Sequence, residues 1–299
     1  MSEVLVSISC ITYNHSAYIR QCLDGMLMQQ TTFDFEILIH DDCSTDGTDD
    51  IIREYASKYP QIIKPLFEEE NQYQQGKPIG TVVWNLPRAK GKYIAICEGD
   101  DYWTDPSKLQ KQVDFMEANP DYSICFHKVK TLIQSTGELK DEFIVRDMPG
   151  TSTIVDLAIG NYIHTPSVLY RKSNLDQSVY QNMTPCLPGD YVMWMLLAEK
   201  GNIYKIEEFM AVYRYGVGIW SDKASVTNSL ESLKTLAKLS CVIKNPEAKK
   251  ILVDEVKLYS VQTIKFIEEH SPIRNSYAYR LGKFLLKPFS WLRRLFGKK

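Results

Sequence analysis

The segment that decides the fold is YIAIC at 93–97, followed directly by EGDDYW at 98–103. The first five residues are apolar and typical of strands, so they predict a short buried strand. Two adjacent carboxylates at the end of such a strand, Asp100 and Asp101, repel each other unless a cation or strong donors lie between them. Hard cations such as Mg²⁺ and Mn²⁺ prefer oxygen ligands and substrate phosphates, so the motif predicts a divalent-metal site.

Two earlier segments have the same strand-and-turn form. A strand at 4–12 ends in the polar turn YNHS at 13–16, and a strand at 35–40 ends in Asp41 and Asp42. Helical stretches follow both strands, and this alternation predicts an α/β fold with a mostly parallel central sheet flanked by helices. Ligands bind beyond the carboxyl ends of the strands in such sheets, so we expect these polar groups to converge at one edge.

The composition is that of a globular protein, but the charge is unevenly distributed. The 299 residues are 44% hydrophobic and 24% charged, which excludes fibrous and wholly disordered proteins. The net charge is −2, yet residues 271–299 contain eight basic and no acidic residues, so the rest of the chain carries −10. The seven cysteines form no CxxC motif and predict reduced thiols. Without a signal-peptide or membrane-spanning pattern, we expect a cytoplasmic protein.

The basic tail has an amphipathic pattern. Over residues 280–298, the leucine and aromatic side chains fall within an arc of about 160°, and most of the basic ones lie opposite. This pattern predicts binding of residues 280–299 to an anionic membrane surface, on the inner face of the cell membrane. Docking of this helix on the protein's own core is the alternative. Nucleic-acid binding is not expected, because the apolar face is aromatic and the main domain is acidic.

The order and spacing of these motifs resemble the family 2 glycosyltransferases of GT-A fold. The resemblance covers residues 4–220 and depends on VSISCITYN at 6–14, HDDCSTDGT at 40–48, AKGKYI at 89–94 and EGDDYW at 98–103. It implies an inverting transferase that takes a sugar from a nucleotide diphosphate sugar, with UDP or dTDP favoured. A lipid-linked saccharide acceptor and a place in bacterial surface polysaccharide synthesis, such as O-antigen or capsule, are also implied.

The resemblance assigns roles residue by residue. It implies that Asp42 contacts the nucleotide base, that Asp101 binds the divalent cation (Mn²⁺ or Mg²⁺), and that Asp190 is the catalytic base. Many relatives have a His shortly after the Tyr-Arg of the last strand, and VYRYGVG at 212–218 has none. The metal is therefore expected to rest on Asp101, water and the diphosphate. The other nucleotide-binding candidates are Thr12, Tyr13, Asn14 and Asp100. Candidate acceptor or donor contacts are Trp103, His164 and Trp220, for which structural packing is the alternative.

Two other functions stay open on the sequence alone. A metal-dependent phosphoryl transferase or phosphatase also gathers carboxylates at strand ends, but it usually needs a nucleophilic Asp after the first strand, where this chain has TYN at 12–14. A non-catalytic nucleotide-sugar-binding protein is the second alternative. The expected organisation is a catalytic domain at 1–220, with a nucleotide-binding half at 1–104 and an acceptor-binding half at 105–220, then a helical extension at 221–270 and the tail at 271–299.

Overall fold

The computed structural model describes residues 3–77, 80–141, 148, 150–183, 189–217 and 225–270. The predictions for Trp220, for residues 221–224 and for the tail at 271–299 lie outside the described residues. No helix in the described part of the chain is both long and apolar enough to cross a membrane.

The strands and helices alternate along the chain, as the sequence predicts. The strands are β1 (Val4–Thr12), β2 (Asp34–Asp41), β3 (Ile63–Phe67), β4 (Tyr93–Ile96), β5 (Tyr102–Trp103), β6 (Tyr122–Ile133), β7 (Glu138–Lys140), β8 (Thr151–Ser152), β9 (Leu169–Arg171) and β10 (Asn202–Tyr215). The α-helices are α1 (Ile19–Leu27), α2 (Thr48–Lys58), α3 (Thr81–Trp84), α4 (Lys108–Ala118), α5 (Ile154–Ala158), α6 (Gln177–Met183), α7 (Gly189–Ala198), α8 (Ser225–Val242) and α9 (Pro246–His270).

All ten strands belong to one sheet, whose main path runs β3-β2-β1-β4-β9-β6-β10-β5. The first four strands on this path are parallel, and β6 pairs with β10 in parallel. The strand β9 lies antiparallel between β4 and β6, and β5 lies antiparallel to β10. The predicted α/β fold is confirmed, and β1, β2 and β4 end at the same edge of the sheet.

The central residues of β1 are buried on both faces of the sheet, and the polar ones are hydrogen-bonded. Val6, Ile8 and Cys10 are fully buried in the core, as β-branched and small residues of a central strand usually are. The alternate residue Ser9 is also buried, and its hydroxyl accepts a hydrogen bond from Asn85 Nδ2 at 2.9 Å. Because such buried polar atoms are paired, β1 can occupy the centre of the sheet without an unsatisfied group.

Two hydrophobic cores cover the two faces of the sheet. One is formed with α1, α2 and α4, and the other with helices of the second half of the chain, including α7 and its buried Trp194. The helical extension is a hairpin of α8 and α9 that packs into this second core. The hydrophobic residues with which it enters this core are Leu236, Leu239, Ile243, Ala248 and Leu252.

The sequence also predicts strands at 165–171 and 211–215, and both have different limits in the structure. Thr165–Ser167 forms a 3₁₀ turn, and the strand predicted at 165–171 begins only at Leu169. Pro166 explains the difference, because proline has no backbone N–H for the ladder. The strand predicted at 211–215 begins at Asn202 and contains register shifts against β6 between Ile206 and Ala211. Exposed glutamates within this bulged stretch interrupt the hydrophobic alternation, so the sequence pattern is hidden there.

Candidate active site

Three carboxylates meet directly after β4. One oxygen atom each from Glu98, Asp100 and Asp101 lie within 4.8 Å of one another. Asp101 is 1% exposed, and its Oδ1 accepts a hydrogen bond from the backbone N–H of Arg214 at 2.8 Å. Its buried Oδ2 has no hydrogen-bond partner among the described residues. Burial and then the charge of Asp100 raise the pKa of Asp101 well above its ordinary value, and the same two causes raise that of Glu98 to about 8.

This arrangement fits a hard divalent cation. A buried carboxylate oxygen without a partner is costly, and closely spaced carboxylates favour a positive charge between them. Mg²⁺ and Mn²⁺ take oxygen ligands of this kind. Glu98 was not among the metal ligands predicted from sequence, although it stands in the same motif. The signal that could have found it is its acidic side chain at the end of a buried strand.

Asp190 lies in the first turn of α7 and is held by two donors. Its Oδ1 accepts from the backbone N–H of Tyr191 at 2.7 Å, and its Oδ2 accepts from Nδ2 of Asn161 at 3.4 Å. The Oδ1 atom of Asn161 accepts from the backbone N–H of Ile163 at 3.1 Å, which orients the amide with Nδ2 toward Asp190. Burial raises the pKa of Asp190, while these hydrogen bonds act in the opposite direction. A raised pKa makes this carboxylate a stronger base than an ordinary Asp.

Asp190 lies close enough to the acidic cluster for its charge to act on Glu98 and on Tyr213. Burial and the charge of Asp100 are the main causes that raise the pKa of Glu98, and the charge of Asp190 raises it further. The carboxylates of Asp190 and Glu98 therefore interact electrostatically. Tyr213 of β10 is close to all four carboxylates: burial and then their charges, beginning with Asp101, raise its pKa. Tyr213 is therefore a protonated hydrogen-bond donor at neutral pH. The ring of His164 lies 5.1 Å from the ring of Tyr213, which brings this predicted residue to the border of the site.

The loops after β1 and β2 are joined by hydrogen bonds between side chains and backbone. Asn14 has a φ of 54°, and its Oδ1 accepts from the backbone N–H of Thr45 at 2.8 Å while its own N–H donates to Ser44 Oγ. Asn tolerates this left-handed conformation better than most residues. Gly99 packs against the same loop so closely that a Cβ atom would lie 2.5 Å from Oγ1 of Thr12. The three strand ends therefore converge, as the parallel topology predicts.

Asp42 holds a neighbouring loop at this edge. It is 3% exposed, and its two carboxylate oxygens accept hydrogen bonds from the backbone N–H groups of Gln72 at 2.8 Å and Tyr73 at 3.2 Å. A carboxylate has about four acceptor positions, so a further donor can still bind. The contact of Asp42 with a nucleotide base stays a prediction. Tyr13 is half-buried in the adjoining β1 loop.

The ring of Trp103 is packed inside the protein. It is 2% exposed, and its Nε1 donates to the carbonyl oxygen of Pro166 at 2.8 Å. The Nζ atom of Lys108 lies 4.1 Å from the ring centroid and donates to Oε1 of Gln112 at 2.7 Å. Burial lowers the pKa of Lys108 to about 7. The packing alternative holds for Trp103, and its predicted contact with a sugar is corrected, because a buried ring offers no face for stacking.

The structure adds residues that sequence reasoning missed. Arg214 lies behind the cluster, with its guanidinium 4.9 Å from the ring of Tyr18 and 5.0 Å from that of Tyr102. Tyr213 and Arg214 stand in the VYRY motif, whose pairing with β5 places them beside the acidic cluster. Asn161 has no motif of its own, and only the folded structure brings it to Asp190.

Carboxylates gathered at the carboxyl ends of a partly parallel sheet are typical of transferases of the GT-A fold. The model of the family described as Glycosyl transferase family 2 matches residues 7–175, and the chain belongs to this family. An uncharacterized protein of Mycobacterium tuberculosis is 38% identical over 218 residues, which are 72% of this chain and 60% of that relative. This chain thus spans less than two thirds of that relative's length.

Two further proteins are similar over most of this chain. WfaP of Escherichia coli, a UDP-Glc:alpha-D-GlcNAc-diphosphoundecaprenol beta-1,3-glucosyltransferase, is 29% identical over 199 residues, which are 66% of this chain and 71% of that protein. The structure of S. aureus TarS 1-349 in complex with UDP-GlcNAc is similar with a TM-score of 0.63 at 18% identity, over 87% of this chain and 73% of that one. This likeness shows the fold.

Proposed function

We propose that this chain is an inverting glycosyltransferase that moves a sugar from a nucleotide diphosphate sugar to a saccharide hydroxyl. The observation that carries the proposal is the position of Asp190, a carboxylate with two fixed hydrogen bonds that lies within electrostatic reach of the cluster of Glu98, Asp100 and Asp101. The site thus combines a candidate base with a candidate cation and diphosphate site. Membership of family 2 supports the same reaction.

In the proposed reaction Asp190 takes the proton of the acceptor hydroxyl. The oxygen attacks the anomeric carbon as the bond from that carbon to the diphosphate oxygen breaks, and the electron pair leaves with the nucleoside diphosphate. Attack opposite the leaving group inverts the configuration. The hydrogen bonds from Tyr191 and Asn161 fix the orientation of the Asp190 carboxylate, which keeps the proton acceptor in a single geometry.

Glu98, Asp100 and Asp101 would hold the divalent cation, which when bound neutralises negative charge on the diphosphate. The backbone N–H of Arg214 fixes one oxygen of Asp101 and leaves Oδ2 available as a ligand. The phenol of Tyr213, whose pKa is raised by burial and by the charges of Asp101 and the other carboxylates, would donate to an oxygen of the bound diphosphate. These residues therefore set the position of the leaving group while Asp190 sets that of the nucleophile.

The similar proteins favour a uridine nucleotide and a lipid-linked acceptor. TarS is crystallised with UDP-GlcNAc, and WfaP is named for UDP-Glc and a diphosphoundecaprenol-linked sugar. We therefore propose UDP, with dTDP second, as the donor nucleotide, and a lipid-linked saccharide of a surface polysaccharide as the acceptor. The phosphoryl-transfer alternative is not favoured, because the end of β1 carries Thr12 and Asn14, neither of which is a nucleophilic carboxylate.

The proposal is tested by thermal unfolding with UDP, dTDP, GDP and ADP, each with Mn²⁺ and again with a chelator. A nucleotide at 100 times its Kd adds about 2.7 kcal/mol to the free energy of unfolding, which raises Tm by several degrees. We expect UDP to give this shift with Mn²⁺ and to lose most of it with the chelator.

The variant Asp101→Asn should lose the Mn²⁺-dependent part of the shift, because the amide is a weaker ligand for a hard cation. Asp114→Asn, an exposed position on α4, is the matched control and should behave as the wild type. The absence of a shift with every nucleotide contradicts the proposal. Release of inorganic phosphate from phosphomonoesters would then support the phosphoryl-transfer alternative.

A further inference from the structure

A cavity lies between the α8–α9 hairpin and the segment that follows α5. We call it the hairpin pocket. Its volume is about 130 Å³, which is well below the 300–1,000 Å³ of pockets that hold drug-sized ligands. It therefore has room for about one sugar ring or part of one, and not for an oligosaccharide. Its polar and aromatic lining consists of Asn161, Tyr191, Ser232, Thr235, Glu255 and Tyr259.

The hairpin pocket adjoins the candidate base. Asn161 and Tyr191 line the pocket, and these are the two residues whose N–H groups hold the oxygens of Asp190. A molecule in the pocket therefore lies against the two residues that orient the base. The phenol of Tyr191 is tied to the carbonyl oxygen of Leu157 at 3.0 Å, which fixes this wall of the pocket.

The lining suits a saccharide. The amide, the hydroxyls and the carboxylate of Glu255 can donate to and accept from sugar hydroxyls, which act as both donors and acceptors. The ring of the half-buried Tyr259 supplies apolar surface for the C–H groups of a sugar. Burial and then the charge of Glu255 raise the pKa of Tyr191, so this carboxylate is in electrostatic contact with the Tyr191 wall of the pocket.

We propose that the hairpin pocket binds a sugar unit of the acceptor and thereby presents the attacking hydroxyl to Asp190. This inference rests on the proposed glycosyl transfer and adds to it the place and the chemical class of the acceptor site. It gives the α8–α9 hairpin a role in acceptor recognition. Because four of these six lining residues belong to the hairpin, acceptor choice depends on Ser232, Thr235, Glu255 and Tyr259 as well as on the catalytic domain.

Two variants change the pocket in different ways. Gly160→Leu adds a side chain at a lining position where a Cβ atom meets nothing within 4 Å and φ is outside the left-handed region, so the fold is expected to persist. Glu255→Gln removes a charged acceptor and keeps the shape. The matched control is Glu247→Gln, an exposed position on the same helix that does not line the pocket.

The experiment titrates each protein first with UDP and Mn²⁺ and then with the methyl glycosides of glucose, galactose, mannose and N-acetylglucosamine, using ligand-detected NMR. We expect at least one glycoside to bind the wild type and the control. Gly160→Leu should abolish this binding, and Glu255→Gln should weaken it about tenfold, as the loss of one hydrogen bond to a charged group predicts. UDP affinity should be unchanged in every protein.

The outcomes separate this inference from the proposed function. If UDP binds the wild type but no glycoside does, or if a glycoside binds both variants as it binds the wild type, the acceptor role of the pocket is wrong and the donor site stands. If UDP itself fails to bind, the proposed function fails with it. Unfolding curves of the variants that match the wild type establish that a loss of binding is local.

Discussion

Two parts of this site are built in different ways. The donor edge consists of the loops after β1, β2 and β4, and the acceptor side consists of Asp190 and the hairpin pocket. At the donor edge, the parallel pairing of β1 with β2 and β4 brings the strand ends together, and hydrogen bonds between the loops, such as those of Asn14 with residues 44 and 45, join them. On the acceptor side, Asp190 is held by Asn161, and the pocket beside it is closed by a hairpin that begins at Ser225. The comparison teaches that one half is fixed by the pairing of parallel strands and the other by the packing of turns and helices outside the sheet.

The sharpest test of this comparison is Asp190→Asn. The amide keeps the shape and cannot accept the proton, so turnover should fall by ~10²–10⁴-fold, as expected for loss of a general base. UDP affinity should stay within twofold, because the donor edge is built from other residues. Initial rates of sugar transfer and UDP titrations measure the two effects.

Asp254→Asn, on the exposed face of α9, is the control for Asp190→Asn and should keep full turnover. Near-normal transfer by Asp190→Asn would show that Asp190 is not the catalytic base, and the acceptor side would then have no assigned role in the chemistry.

A second prediction concerns Asp42→Asn at the donor edge. The amide can accept from only one of the two backbone N–H groups that the carboxylate binds, so the local opening free energy should fall by about 1.5–3 kcal/mol. The amides of Gln72 and Tyr73 should then exchange with solvent ~10- to 150-fold faster. Asp41→Asn, which loosens Ser44 instead, is the comparison variant. Unchanged exchange at both amides would show that Asp42 does not hold this loop.

Trp103→Phe tests the contact between Trp103, which follows the acidic cluster in β5, and Pro166 in the second half of the chain. The change removes the hydrogen bond from Nε1 to the carbonyl of Pro166 and weakens the contact with Lys108, so urea denaturation should give a loss of about 1–3 kcal/mol. Trp84→Phe is the control, because the buried Nε1 of Trp84 has no partner in the described part of the chain. A fall in sugar affinity with unchanged stability would instead restore the stacking role for Trp103.

The smallest expected effect is a displacement of the pH profile by Asn161→Ala. The hydrogen bond from Asn161 lowers the pKa of Asp190 against the effect of burial, so its removal raises that pKa. Asp190 acts only when ionised, and the rate falls as pH drops through its pKa. The acid limb of kcat/KM should therefore move to higher pH, and the plateau should fall as well, because Asn161 also lines the hairpin pocket. A limb that stays in place or moves to lower pH contradicts the positioning role.

The donor edge could be predicted from sequence because its residues stand at strand ends that the parallel topology must bring together. Asp42, Asp100 and Asp101 follow strands whose apolar runs are unambiguous. Asn161 and Tyr213 could not be predicted in the same way. The position of Tyr213 depends on the register of β10 against β5 and β6, which bulges shift, and that of Asn161 depends on a turn after the short helix α5.

The close approach of Gly99 to the first strand also has a consequence for how this site tolerates change. A single methyl group at position 99 would collide with Oγ1 and Cβ of Thr12 and with Nδ1 of His15, so the carboxylate loop would have to move outward. The distance between the cation ligands and the β1 loop therefore depends on the absence of a Cβ atom at Gly99. Random mutagenesis should find this position as intolerant as the carboxylates themselves, although Gly99 takes part in no chemistry.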